Sequence, residues 1–370
     1  MRDVVMDKSI ARRLARLRSK FRRNKIDAML VVSDPNVRYL SGFTGDSTRL
    51  LITPADALLL TDFRYVEQAE GECKGCRVVD TRHAMHKAVC REAKRLGVKR
   101  LGLAPASVSL AEADSFLELL RKRQIEPVRV SGLVEDLRSV KDAGEIKMIQ
   151  ASVDAAGKAL EHIKQFLVPG IREIDVATEM EYYVRGLGFD GMGFPTIVAF
   201  GPNGSRCHHI PSQRRLRAGD PVLIDWGVRC DGYVSDLTRT FFHTKIPGRF
   251  ERIYRTVYEA QRRAIRQIRP GATCGVVDAA ARSYITKAGF GRRFGHGLGH
   301  SIGLQVHEVP GFAKGSGTVL KRGMVFTVEP GIYVPGLGGV RIEDDVLVTA
   351  AGARVLSSVP KKLKDVVIGG

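Results

Sequence analysis

Residues 222–240 read VLIDWGVRCDGYVSDLTRT. Two aspartates, Asp225 and Asp236, stand in an apolar frame with Asp231-Gly232 between them. An Asp-Gly pair flanked by apolar alternation is the strongest short-range hairpin signal. With Asp231 and Gly232 as the loop residues, Cys230 pairs with Tyr233 and Asp225 stands opposite Thr238. Asp236, two residues from Thr238, then shares a face with Asp225 on the neighbouring diagonal. Two carboxylates side by side in an apolar sheet repel and are costly to desolvate unless a cation lies between them. The competing reading is a surface hairpin with incidental acids.

Upstream, Asp142 with Glu145 three residues on reads as a capping box. Apolar residues from Ile146 to Leu167 then alternate steps of three and four, the pattern of a long amphipathic helix closed by Pro169-Gly170. Pro169-Gly170 leads after twenty residues to Phe189, and Pro270-Gly271 leads to Phe290 at the same interval. The offset is 101 residues in both cases, each Pro-Gly pair follows a helical stretch, and each segment runs into a glycine-rich loop. This order indicates a duplicated half-domain. The second half carries its own acidic hairpin: Gly323–Glu329 as one strand, Pro330–Gly339 as a Gly/Pro-rich loop, and Val340–Thr349 as the return. Arg341 and Glu343 share one face of that return strand and Glu329 ends the first.

Pseudo-symmetric halves would bring four carboxylates together, and two divalent ions balance that charge. The loop from Gly295 to Glu308, GHGLGHSIGLQVHE, offers His296, His300 and His307. One histidine alone reads as a hydrogen-bonded core residue; three on a glycine-rich segment beside two acidic hairpins point to a site. An oxygen-rich set with a single imidazole suits Mn²⁺, Co²⁺, Fe²⁺ or Zn²⁺, whereas a structural zinc site would use thiolates. Two such ions, about 3.5–4 Å apart, activate a water and clamp a tetrahedral intermediate, so hydrolysis of an amide or ester is the expected chemistry.

Residues 1–132 read as an α/β domain and 133–370 as a second domain. Strands at Ala28–Val32, Leu50–Ile52, Ala57–Leu60 and Arg100–Ala104 alternate with helical segments near 64–70, 85–96 and 111–123. Lys8 to Lys25 holds nine basic residues and no acid, with Ile10, Leu14, Leu17 and Phe21 on one helical stripe. The net charge is +19. A nucleic-acid or anionic-surface role competes here with a solvated outer face on a core-packed helix. No nucleic-acid motif accompanies the charge. Hydrophobic content of 44% and charged content of 27% are those of an ordinary water-soluble globular protein. No apolar run approaches the ~18 residues of a membrane span. Six irregularly spaced cysteines and no signal-peptide order make the cytoplasm the expected compartment. Cys73-Lys-Gly-Cys76 has metal-binding spacing, but no second CxxC completes a structural zinc pattern.

The order D-x10-D, GHxxGHxxGLxxHE, VEPGIY and GVRIEDD resembles the pita-bread metallopeptidases, in their Xaa-Pro aminopeptidase and Xaa-Pro dipeptidase (prolidase) branch. IDAMLVVSDPNVRYLSGF resembles the creatinase/prolidase N-terminal domain, so the likeness spans nearly the whole chain. It implies an α/β N-terminal domain followed by an α+β catalytic domain with an internal pseudo-two-fold repeat. Carried over by motif, Asp225 chelates one metal, Asp236 and Glu343 bridge two, and His300 and Glu329 complete the other. Glu329 also takes the proton of the bridging water, His307 and Arg341 line the substrate site, and His296 contacts substrate near the proline side. A further catalytic histidine falls at His208, twelve residues before Asp220, with adjacent His209 as the alternative. Ser301 stands where glycine commonly follows the ligand histidine, which would narrow the pocket. The resemblance implies two divalent ions (Mn²⁺ first), a peptide or dipeptide substrate with proline second, and a homodimer. Methionine aminopeptidases generally lack the large N-terminal domain, and creatinase lacks this ligand set. The alternative of another class is a pita-bread binding protein without catalysis, associated with nucleic acid through its basic surface.

Overall fold

The computed structural model describes residues 2–73, 75–105 and 110–369. The chain divides into two compact units, Met1–Arg138 and Ser139–Gly370. The expected break after residue 132 falls just before the short helix that ends the first unit.

The first unit is built on a six-stranded mixed sheet in the order β4-β3-β2-β1-β5-β6. Its strands are β1 (Ala28–Val31), β2 (Arg49–Ile52), β3 (Ala57–Thr61), β4 (Arg77–Asp80), β5 (Arg100–Leu103) and β6 (Glu126–Arg129). The helices are α1 (Arg2–Arg18), α2 (Asp34–Ser41), α3 (Val66–Glu72), α4 (Met85–Arg95), α5 (Leu110–Lys122) and α6 (Glu135–Ser139). Central β1, β2 and β3 are almost wholly buried, which is why they read as continuous apolar runs. Edge strands β4 and β6 carry charged residues and lack that signal, as edges that resist further pairing do. Asp34-Pro35 starts α2, where the fixed φ of proline suits the first turn, and Gly42 closes it at φ 80°. Ile10, Leu14, Leu17 and Phe21 are all buried, so the basic residues of that segment surround a packed stripe.

The second unit contains α7 (Ala143–Lys164), α8 (Glu173–Gly186), α9 (Gly248–Ile265) and α10 (Cys274–Lys287). The capping box is present: Asp142 Oδ1 accepts from the N–H groups of Gly144 (2.9 Å) and Glu145 (3.0 Å), and Glu145 Oε2 accepts from Asp142 N–H (2.9 Å). The helix stops at Lys164, short of the Pro-Gly pair expected to close it. Its β-structure begins with β7 (Gly191–Met192), β8 (Ile197–Phe200), β9 (Pro221–Trp226), β10 (Val228–Cys230), β11 (Tyr233–Val234) and β12 (Leu237–His243). There follow β13 (Gly299–Ser301), β14 (Glu308–Phe312), β15 (Val325–Val328), β16 (Gly331–Val334), β17 (Gly338–Arg341), β18 (Asp344–Thr349), β19 (Gly352–Val355) and β20 (Val367–Ile368). Two larger sheets have the orders β20-β12-β9-β8 and β14-β13-β15-β18-β19.

The internal repeat is structural. Helices α8 and α10 are both fourteen residues long and start at the same 101-residue offset as the Pro-Gly pairs. Gly170 N–H donates to Leu216 O and Leu216 N–H returns to Ile171 O, both at 2.9 Å. Gly271 and Ala272 make the same exchange with Leu320, at 3.0 and 2.8 Å. Each half thus seats its second helix against a returning segment before the chain enters its acidic hairpin.

Candidate metal centre

The first hairpin has the register expected from its turn. Cys230 pairs with Tyr233 and Asp225 with Thr238. Asp231 and Gly232 both take positive φ, 48° and 79°, as a type I′ turn requires. The ladder is interrupted at Gly227 and at Ser235-Asp236. A side chain at Gly227 would place its Cβ 1.8 Å from Ser235 O, so the backbone passes there only because the residue is glycine. Asp236 N–H leaves the ladder and donates to Asp345 Oδ2 at 3.0 Å.

The second hairpin departs from expectation in a way that repeats the first. Instead of a loop over Pro330–Gly339 and one return strand from Val340, Gly331–Val334 pairs with Gly338–Arg341 as a separate two-stranded ribbon. The return breaks at Ile342-Glu343 before β18 pairs with β15. Released from that ladder, Glu343 N–H donates to Thr238 O (3.1 Å), and Thr238 Oγ1 donates to Glu343 Oε2 (2.6 Å). Both hairpins bend where their second acid sits, and the bends face each other.

This brings the acids and an imidazole together. Ligand atoms of Asp236, His300 and Glu343 all lie within 4.8 Å of one another. His300 Nε2 stands 3.6 Å from Asp236 Oδ2 and 3.4 Å from Glu329 Oε1. Asp225 Oδ2 receives Arg341 Nη2 at 2.5 Å, while its Oδ1 is buried without a hydrogen-bond partner. Burial, then repulsion from neighbouring acids, raises the carboxyls of Asp236 and Glu343 well above their ordinary range. Glu329 rises for the same first reason, with Arg341 working against it. Burial lowers His300 to about 4, so its imidazole is neutral. Nδ1 lies 3.2 Å from Ser301 O and donates there, which leaves the Nε2 lone pair aimed at two carboxylates. An imidazole lone pair beside several buried carboxyls, with its other nitrogen tied to a carbonyl, is the arrangement of a metal-ligand histidine. With the orphaned Asp225 oxygen, this donor set fits divalent ions.

These groups line a cavity of about 640 Å³ whose other walls are apolar, among them Phe194, Pro195, Ile197, Ile210 and Val306. His208 and His307 line it from exposed positions, and the rings of His307 and His300 lie 4.4 Å apart. His209 also borders it but is buried, with Nε2 2.8 Å from Glu173 Oε2. His296 is held by Tyr333, whose hydroxyl lies 2.9 Å from Nε2, and Arg341 Nη1 donates to the same hydroxyl at 2.8 Å. Tyr333 therefore joins Arg341 to His296, a role its place in VEPGIY does not disclose. Ser301 does not narrow the cavity. It is fully buried, receives Lys141 Nζ at 3.0 Å and donates to Val325 O at 3.1 Å.

The Cys73–Cys76 pair gathers no ligand cluster; among the described residues only Asp236, His300 and Glu343 do so. Burial pushes the Cys73 thiol up to about 12 and the Cys76 thiol up to about 11.

The profile of "Metallopeptidase family M24" matches residues 147–350, and that of "Creatinase/Prolidase N-terminal domain" matches residues 13–140. The chain is 39% identical over 351 residues to the uncharacterized peptidase YqhT of Bacillus subtilis (strain 168), covering 95% of this chain and 99% of that one. Among solved structures, the Xaa-Pro dipeptidase from Bacillus anthracis superposes with a TM-score of 0.93 at 39% identity, covering 97% of this chain and all of that one. The X-Pro aminopeptidase from Thermotoga maritima gives 0.86 at 31% identity, covering 95% and 99%. The chain belongs to metallopeptidase family M24, with a creatinase/prolidase N-terminal domain preceding the pita-bread domain. It is thus a hydrolase acting on peptide bonds, of a family whose members use divalent metal ions. The alternative of a non-catalytic, nucleic-acid-associated protein gains no support from these relatives. No helix among the described residues is long and apolar enough to cross a membrane.

Proposed function

We propose that the protein hydrolyses the bond between an N-terminal residue and proline, as an Xaa-Pro dipeptidase or Xaa-Pro aminopeptidase with two divalent ions, Mn²⁺ first among them. The observation that supports this most is the convergence of Asp225, Asp236, His300, Glu329 and Glu343 on one cavity, with the His300 lone pair turned toward the acids. Asp225 would chelate one ion, Asp236 and Glu343 would bridge both, and His300 with Glu329 would complete the second. Ions held there supply Lewis acidity at the scissile carbonyl and acidify a water. Glu329 accepts the proton of the attacking water. His307 and His208, which both line the cavity, offer N–H groups to the developing oxyanion and the scissile amide. Arg341 holds Asp225 in place, and through Tyr333 it orients His296 toward the substrate's proline side. The apolar walls suit a proline ring and an uncharged first residue. A cytoplasmic homodimer completes this reading; all six cysteines are free, as a reducing compartment would keep them.

The test is hydrolysis of Xaa-Pro dipeptides and longer Xaa-Pro peptides with Mn²⁺, in the native protein and in Asp236→Asn. Activity is expected to vanish in the variant; an unchanged rate there would refute the proposal. Preference for dipeptides over longer peptides decides between dipeptidase and aminopeptidase.

A further inference from the structure

Glu173 opens α8, and the equivalent position of the second half, opening α10, is Cys274. Both helices are seated by matching backbone bonds. Glu173 N–H donates to Arg214 O (3.1 Å) and Ile174 N–H to Ser212 O (3.2 Å). Cys274 N–H donates to Thr318 O and Gly275 N–H to Ser316 O, both at 2.9 Å. The helix therefore forms equally well with a thiol at this position. Nothing in the fold of a half-domain requires a carboxylate there.

Glu173 is nonetheless completely buried with both oxygens engaged. Oε1 accepts from Phe200 N–H (2.8 Å) and Asn203 Nδ2 (2.9 Å). Oε2 accepts from His209 Nε2 (2.8 Å), Ser212 N–H (2.9 Å) and Ser212 Oγ (2.5 Å). Burial alone would raise this carboxyl, and the ring of donors brings it below its ordinary value instead. All five donors belong to residues 200–212, so one oxygen grips the entry to this loop and the other its exit. Between them lie Cys207, His208, His209, Ile210 and Pro211, which line the cavity. The loop has a second anchor where Gly204 meets Gly339 backbone to backbone; a Cβ on Gly339 would lie 2.0 Å from Gly204 O. Both His208 and His209 border the cavity, but Nε2 of buried His209 is held by Glu173, whereas His208 is exposed there.

We infer that Glu173 is a positioning residue of the peptidase: it clamps the 200–212 loop and so presents His208 to the substrate. The inference rests on the role proposed above for His208. Its test is Glu173→Gln, made both in the native chain and in His208→Ala, with kcat, KM and Mn²⁺ affinity measured on an Xaa-Pro peptide at saturating Mn²⁺. A general acid–base or hydrogen-bonding group contributes roughly 10²–10⁴-fold, so a mispositioned one is expected to lower kcat by about tenfold or more. Mn²⁺ affinity by calorimetry should stay unchanged. In the His208→Ala background the same substitution should lower kcat by less than about twofold, because two residues acting as one unit are not additive. Equal losses in both backgrounds, an unchanged kcat in the native one, or weakened Mn²⁺ binding would each overturn the inference. If Glu173→Gln fails to fold, Asn203→Ala, which removes one donor and no charge, carries the same comparison. Native kcat in His208→Ala alone would overturn the role of His208 and this inference with it. A crippled His208→Ala beside a fully active Glu173→Gln would overturn the inference alone.

Discussion

Replacing Gly227 by alanine adds one methyl group where the first hairpin bends. Its Cβ would lie 1.8 Å from Ser235 O, 2.9 Å from Ser235 C and 2.8 Å from Phe194 Cε1. Real Cβ atoms essentially never come closer than 3.0 Å, so the Ser235 carbonyl has to retreat by about 1.2 Å. It cannot do so alone. Ser235 N–H donates to Val228 O, its Oγ accepts from Val228 N–H (both 3.1 Å), and the next N–H, of Asp236, is bound to Asp345. The displacement is therefore carried into Asp236. Overpacking costs about 1–3 kcal/mol, and with a backbone oxygen on the receiving side the upper end applies. For a domain of this size about 3 kcal/mol lowers Tm by roughly 6–12 °C. A catalytic group displaced by about 1 Å costs on the order of 10² in rate. The assays are thermal unfolding with and without Mn²⁺, calorimetric Mn²⁺ titration, and kcat on the best peptide. Gly317→Ala, at a position with open space and an ordinary φ, is the matched control and should match the native protein. If Gly227→Ala kept native stability and native Mn²⁺ affinity, the claim that the bend places Asp236 would be refuted.

Two further outcomes follow from buried charges. Arg239 is completely buried and donates to Asp344 Oδ1 (2.7 Å) and to the carbonyls of Thr238 (2.9 Å) and Val359 (2.8 Å). Arg239→Met should lower the unfolding free energy by about 3–5 kcal/mol, since it strips a buried carboxylate of its arginine; a loss under about 1 kcal/mol in denaturant titration contradicts this. Glu173 has a folded pKa below its ordinary 4.5, so its contribution is fully present above 4.5 and fades as pH falls through the folded value. The stability gap between native protein and Glu173→Gln should thus be widest near neutral pH and close in acid; a gap independent of pH rules the carboxylate out as the cause.

Much of the site was readable in advance because its signals are local. The Asp231-Gly232 turn needs two residues of positive φ, and once they are named the register of Asp225 and Thr238 follows by counting. The Asp142 capping box spans four residues, and the repeat announces itself through Pro-Gly pairs at a fixed offset. Edge strands β4 and β6 escaped this reading because their charged residues hide the apolar period. The second hairpin reads in sequence as loop and single strand, because Gly331–Val334 pairs within a ribbon that glycine-rich composition disguises as a turn.

Local pattern, then, sufficed for the acids, the imidazoles, the turn that sets the face of the first hairpin, and the duplication that supplies the second. Tertiary structure alone decided that both hairpins bend at their second acid, and that Arg341 secures Asp225 and Tyr333 together. It also gave two adjacent histidines different surroundings, tying buried His209 to Glu173 and leaving His208 exposed at the cavity. The reason is distance along the chain. Turns and caps are settled by neighbours a few residues apart, whereas Glu173 and His209, or Asp225 and Arg341, meet only after long loops have closed around a packed core.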